Sequence, residues 1–245
     1  QSELEKTRQG KKLRLAICCG NNRDFLIALF AGAGAGYVVM PIFDELTEGE
    51  LAQQLNDNSI HHFLSPLQGT KLTSDSFSLE RFSEEGDSDM EKLCSDPAFI
   101  RPTSGTTGTS KGVLISHQAV LERINAANKE LELTNKDTVI WVLPMAFHFV
   151  VSLVLYIAQG SKIVVAGGLD ADELADKINH HQGTLLYSSP LHIRLLSQAK
   201  SHTNFSTLKR VISTTTAISP SICHAFYERF KIPVSQAYGI IEIGL

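Results

Sequence analysis

Ten consecutive residues, 103–112, read Thr-Ser-Gly-Thr-Thr-Gly-Thr-Ser-Lys-Gly. Hydroxyls, glycines and a single lysine in that density form a loop suited to wrapping phosphates. Gly105 and Gly108 let the backbone turn and bring N–H groups close to an anion. The hydroxyls of Thr103, Ser104, Thr106 and Thr107 add donors without bulk. Lys111 adds a mobile positive point charge. A hydrogen bond to a charged group is worth roughly 1.5–3 kcal/mol, so a few such contacts suffice to hold a triphosphate. The spacing is not that of a Walker loop, which needs Gly-x4-Gly-Lys-Ser/Thr, because Lys111 is followed by Gly112. A flexible Ser/Thr/Gly linker is the plainer alternative, but a linker has no need of a lone lysine between two apolar runs, 97–102 and 113–115.

The run Thr-Ser-Gly-Thr-Thr-Gly-x-x-Lys-Gly-Val resembles the phosphate-loop signature of the adenylate-forming superfamily, which includes acyl- and aryl-CoA synthetases, peptide-synthetase adenylation domains and beetle luciferases. Ser110 stands where that signature has a proline, and Pro102 where it has an aromatic residue. Three later segments are similar to other parts of the family site. Leu-Pro-Met-Ala-Phe-His at 143–148 resembles the segment that meets the carboxylate substrate, which implies that His148 lies beside the acid. A satisfied core histidine is the alternative there. Thr214, Thr215 and Thr216 occupy the place of a Gly-Gly-Ala-rich turn beside adenine. Gln-Ala-Tyr-Gly-Ile-Ile-Glu at 236–242 resembles Tyr-Gly-x-Thr-Glu, which implies Tyr238 and Gly239 against the adenine. By the same likeness Glu242, with Thr106, would hold Mg²⁺, a hard cation that prefers oxygen ligands. Ile241 replaces the threonine whose hydroxyl faces the α-phosphate.

The resemblance implies catalytic roles for His148, Lys111 and Glu242, and binding of ATP and its product AMP. It also implies a small carboxylic acid as substrate and a thiol acceptor, either CoA or a carrier-protein phosphopantetheine. Relatives that activate amino acids carry an aspartate for the substrate amine near residue 148. No acidic residue lies between Trp141 and Gln159, so an acid without an α-amine is expected. Family members continue well beyond the equivalent of Glu242 into a mobile lid, so the chain is expected to be a truncated AMP-binding core, incomplete for catalysis alone. Three rivals stand beside this reading: a non-catalytic nucleotide-binding or scaffolding relative, an ATPase that releases ADP, and a luciferase-like oxygenase.

Composition sets the outer bounds. At 245 residues, 43% hydrophobic and 20% charged, the chain has the make-up of an ordinary globular protein. A net charge of −4 without a basic stretch argues against nucleic acid as a partner. The four cysteines, Cys18, Cys19, Cys94 and Cys223, have no metal-ligand spacing; Cys18 and Cys19, adjacent in a strand-like run, are expected to be packed thiols in a cytoplasmic protein. The apolar stretch 139–158 is of membrane-spanning length, but Pro144 and His148 interrupt it. It therefore reads as a buried strand, a turn and a buried helix ended by Gly160.

The elements that position these residues alternate. Strands are predicted over 13–19, 37–40, 62–64, 139–143, 162–166, 184–187, 210–213 and 234–236. Helices are predicted over 24–33, 47–58, 116–132, 149–158, 171–180, 190–200 and 220–230, while 65–95 reads as polar and irregular. The alternation predicts an α/β fold of layered αβα lobes with largely parallel sheets. A first lobe, 1–135, carries the phosphate loop; a second, 136–245, carries the substrate and adenine segments. The glycines at 32, 34 and 36 follow a helix, which is the wrong context for a dinucleotide loop. The His61-His62 and His180-His181 pairs lack the helical spacing of metal ligands.

Overall fold

The structure, a computed structural model, describes residues 1–8, 12–67, 77–83, 90–102, 111–199 and 204–239. It divides into two compact units, one formed by residues 1–123 with 144–147, the other by 124–143 with 148–239.

The first unit contains α1 (Ser2–Arg8), β1 (Arg14–Ile17), α2 (Arg23–Gly34), β2 (Val38–Pro41), α3 (Glu48–Asp57) and β3 (His62–Pro66), followed by β4 (Phe77–Arg81), α4 (Met90–Leu93), β5 (Pro97–Pro102) and β6 (Gly112–Ser116). Its sheet runs β4-β3-β1-β2-β5-β6. The three inner pairings are parallel, and the two outer ones, β3 with β4 and β5 with β6, are antiparallel. Local chemistry sets the helix starts. The Asn22 side chain accepts the N–H groups of Asp24 and Phe25 at the head of α2, and Thr47 with Glu50 closes a capping box on α3. Gly32 sits where an added Cβ would come within 2.8 Å of Leu15 and 2.9 Å of Val39. Its part in the Gly-x-Gly-x-Gly run is thus to let α2 lie flat on β1 and β2. Ala16, Val38, Met40, Ile42, Leu55, Ile60, Met90 and Ile100 form a core cluster in this unit.

α5 (His117–Leu131), with the Ser116 hydroxyl accepting from Ala119 at its head, leads out of the first unit. The second unit holds β7 (Thr138–Trp141), a π-helical turn Phe149–Leu153 that continues as α6 (Val154–Ala158), β8 (Lys162–Val165), α7 (Ala171–His180) and β9 (Leu185–Ser188), then α8 (Pro190–Gln198), β10 (Arg210–Ser213), α9 (Pro220–Phe230) and β11 (Val234–Gln236). Its strands run β8-β7-β9-β10-β11, all parallel. In order of appearance that is 2-1-3-4-5, a doubly wound sheet whose switch point falls between β7 and β9. Asp137 fastens the start of this pair: its carboxylate accepts from Thr134 on one oxygen and from the Thr184 hydroxyl on the other. Burial pushes its pKa up, and those hydrogen bonds outweigh the burial to leave it below the usual carboxylate value.

The layered α/β architecture with mainly parallel strands is the one the alternation predicts. The segment read as polar and irregular contains β4 and α4, and α1 precedes the first predicted strand. Among the described residues, no helix is long and apolar enough to cross a membrane.

Candidate functional site at the strand ends

The loop residues Thr103, Ser104, Gly105, Thr106, Thr107 and Gly108 lie outside the described residues, as do Ile241 and Glu242. The anchors of the loop are defined. The chain leaves β5 at Pro102 and re-enters β6 at Gly112, and these two residues are register partners in an antiparallel pair. Lys111 therefore stands, exposed, at the base of this connection. Gly112 is required there sterically: an added Cβ would lie 2.3 Å from the Asn58 Oδ1 and 2.6 Å from Ile100 Cγ2, both on buried residues. The Lys-Gly pair of the motif thus joins a mobile charge to a strand start that accepts no side chain.

In the second unit the remaining candidates follow the carboxyl ends of parallel strands. Ser188, Ser213 and Gln236 are register neighbours at the ends of β9, β10 and β11. Thr214 donates its N–H to the Ser188 carbonyl at 2.9 Å, and Ala237 donates to Ser213 at 2.8 Å. Thr214–Thr216 and Tyr238–Gly239 are thereby brought to one edge of the sheet. Tyr238 is 82% exposed, the largest exposure among the large apolar side chains described, so its ring face is open to stacking.

His148 follows β7 at the opposite side of the switch point. It is half-buried, and its ring stands edge-on to Tyr187 with centroids 6.4 Å apart. Tyr187 in turn stacks on Trp141 at 5.8 Å and 16°, and Trp141 meets Tyr156 edge-on at 6.1 Å. The Trp141 indole N–H donates to the Leu143 carbonyl at 2.5 Å. An aromatic floor therefore underlies the histidine. The helix that His148 opens begins with a π turn, a form found mostly as single turns at functional sites.

Local costs gather at this edge. The Ser188 and Ser213 hydroxyls are fully buried and, among the described residues, have no hydrogen-bond partner, a state that costs about 1–3 kcal/mol per group. Thr215 adopts φ 76°, a left-handed conformation rare for a β-branched residue. Strain of this kind clusters at ligand-binding segments. Replacing Thr215 by glycine is expected to raise stability by about 0.5–1 kcal/mol. Release from the left-handed region gives about 1–2 kcal/mol, and glycine entropy takes back about 0.5–1 kcal/mol. Urea unfolding checks this; a lower midpoint for the variant would show that side-chain contacts, not backbone strain, dominate at Thr215.

The other titratable candidates are structural. The His61 Nδ1 accepts the Arg14 N–H at 3.0 Å, and the His62 Nδ1 lies 3.2 Å from the Tyr37 hydroxyl. Burial, then the neighbouring His61 and Arg81, holds His62 below the usual imidazole pKa. His192 is lowered by burial, and its Nδ1 lies 2.8 Å from the Ser189 hydroxyl. Burial pushes the Cys19 thiol up to about 12, with Cys18, Asp24 and Asp44 adding to the shift, so it stays protonated. Among the described residues no cluster of three metal-ligating side chains occurs. Reading by motif passed over Tyr187, Arg101 and Asn21. An arginine ending an otherwise apolar strand was the available signal, because a buried guanidinium demands partners.

Fold and edge define the class: a layered α/β protein whose all-parallel second sheet has its switch point between β7 and β9. The family model for AMP-binding enzymes matches residues 4–245, and the chain belongs to that family, within the adenylate-forming superfamily. It is 27% identical over 187 residues to bacitracin synthase 2 of Bacillus licheniformis, covering 72% of this chain and 7% of that protein. In fold it is similar to a long-chain-fatty-acid-CoA ligase from Archaeoglobus fulgidus, with TM-score 0.78, 21% identity, and coverage of 97% of this chain and 55% of that one. It is also similar to the AMPPNP-bound nonribosomal peptide synthetase FmoA3, with TM-score 0.77, 17% identity, and coverage of 98% and 27%. The chain thus spans less than two thirds of each of these proteins.

Proposed function

We propose that this protein activates a carboxylic acid with ATP. A substrate carboxylate oxygen attacks the α-phosphorus, the bond to the bridging oxygen breaks, and pyrophosphate leaves as the acyl-adenylate forms. The thiol of CoA or of a carrier-protein phosphopantetheine then attacks the acyl carbon and AMP departs. Transfers of this type depend mainly on position and charge. Thr103, Ser104, Thr106, Thr107 and Lys111 hold the departing pyrophosphate, with Gly105 and Gly108 giving backbone access. Thr214–Thr216, Tyr238 and Gly239 receive the adenine, and His148 donates to the substrate carboxylate. The Thr106 hydroxyl and Glu242 carboxylate are an all-oxygen donor set that fits Mg²⁺. When bound, that ion would neutralise phosphate charge.

The observation that carries the reading is the family match along residues 4–245, joined to a phosphate-loop motif whose flanks pair as adjacent strand ends. The acid is one without an α-amine, because residues 142–158 offer no carboxylate to an ammonium. Pyrophosphate exchange with fatty, aryl and amino acids tests this. Acids lacking the amine are expected to exchange about tenfold or more faster than their α-amino counterparts, since an unpaired ammonium is costly to bury. The reverse preference would assign amino-acid activation. ADP rather than AMP as product would replace the reading with an ATPase.

A further inference from the structure

Arg101 is 6% exposed, on a strand whose preceding residues Ala98, Phe99 and Ile100 are buried and apolar. A guanidinium in that position is kept only where oxygen acceptors meet it. Its Nη2 donates to the backbone carbonyl of Phe147, the residue immediately before His148. Two further contacts hold the same short segment. The Met145 N–H donates to the Asn21 Oδ1 at 2.7 Å, and the rings of Phe43 and Phe147 lie 5.3 Å apart. Asn21 is itself fixed in a braced turn, where the neighbouring Asn22 side chain donates to the Cys19 carbonyl at 2.7 Å. Residues 144–147 are thus seated on the turn after β1, the segment after β2 and the end of β5.

The next peptide group is held as well, because the Ser152 hydroxyl donates to the His148 carbonyl. The carbonyls on both sides of the His148 α-carbon are therefore hydrogen-bonded. Its backbone adopts the non-helical pair φ −131°, ψ 53° just before the π turn. With both peptide planes fixed, the imidazole has only its own side-chain torsions left, and Tyr187 limits those from the edge.

We propose that Arg101 is a positioning residue for His148, with Ser152 as its counterpart on the following peptide, and that the pair sets the direction from which the imidazole meets the substrate carboxylate. Arg101 also lies two residues before Thr103, so one strand carries the start of the phosphate loop and the anchor of the acid-side histidine. The inference rests on the role given to His148 above.

The test uses the full-length protein and two kinds of readout. Arg101→Leu is expected to lower kcat/KM for the acid in pyrophosphate exchange by about 10²-fold, the scale of a misplacement of about 1 Å, while KM for ATP stays within about twofold. Arg101→Lys, which restores a donor without the planar fork, is expected to recover part of the loss. Adding Arg101→Leu to His148→Ala is expected to cost nothing beyond His148→Ala alone, as for residues acting through one contact. Without substrate, the His148 imidazole NMR signal, assigned by its loss in His148→Ala, is expected to shift and broaden in Arg101→Leu. An unchanged imidazole signal overturns the proposal. So does a rise in KM for ATP matching that for the acid, which would assign Arg101 to the loop. If Arg101→Leu does not fold, Ser152→Ala, which deletes one oxygen from the other restraint, is read by the same signal and kinetics. Wild-type acid kinetics in His148→Ala would refute the role of His148 separately, and the anchoring then stands or falls on the imidazole signal.

Discussion

Lys111→Ala is expected to weaken ATP binding by roughly ten- to a hundredfold while leaving AMP within about twofold, since a charge-assisted contact is worth roughly 1.5–3 kcal/mol and about 1.4 kcal/mol is a factor of ten. The asymmetry follows from place. Lys111 stands at the base of the connection between Pro102 and Gly112, and its proposed partners are the β- and γ-phosphates that AMP lacks. Lys111 is exposed beside the start of β6. Exposure also makes the contact screenable, so the difference between wild type and variant should shrink as salt rises and the Debye length falls towards about 3 Å near 1 M. Calorimetric titration with ATP and AMP at two salt concentrations measures all of this. Equal losses for the two nucleotides would remove Lys111 from the triphosphate site. Fold damage is a small concern, because the substitution truncates an exposed side chain and leaves Gly112 against Asn58 untouched.

How much of this was legible in the sequence depends on how local the signal is. Helix α7 begins at Ala171 because Asp170 caps it, and α9 begins at Pro220 because Ser219 caps it and the proline fits the first turn; both sets of boundaries are readable from a few residues. The chain between β3 and β5 was opaque for the opposite reason. Strand β4 is only half-buried, so its apolar alternation is weak, and it exists because it pairs with β3. The π turn was read as ordinary helix, since a continuous apolar run from Phe149 to Leu153 carries no mark of its hydrogen-bond spacing. At the candidate site, motif spacing pointed to Lys111, His148, Tyr238 and the threonines after β10. It did not reveal the aromatic floor, because Tyr187 stacks on a residue 46 positions away, nor Arg101, whose carbonyl partner is equally remote. The positive φ of Thr215 likewise belongs to the closing of β10 against β9 and not to the threonine itself.

Trp141→Ala is expected to cost about 3–5 kcal/mol, the usual range for emptying a buried aromatic site, against a typical domain stability of about 5–15 kcal/mol. Trp141 is fully buried in β7, stacked on Tyr187 and edge-on to Tyr156. Its removal leaves a cavity between the sheet and α6 and takes away the indole N–H that donates to the Leu143 carbonyl. Trp141→Phe keeps a ring against Tyr187 but loses that N–H, and should cost distinctly less. Because Trp141 is the single tryptophan in the chain, urea unfolding of the variants is followed by circular dichroism and that of the wild type by both signals. A loss below about 1 kcal/mol for the alanine variant, less than one or two buried methylenes, would show that β7 and α6 repack without the indole. The consequence reaches the chemistry through Tyr187. With the indole gone, that ring loses a stacking surface, and the edge it presents to His148 is expected to shift. The alanine variant should therefore raise KM for the acid at temperatures where it is still folded, with KM for ATP unchanged. A loss of stability with unchanged acid KM would separate the aromatic floor from the substrate.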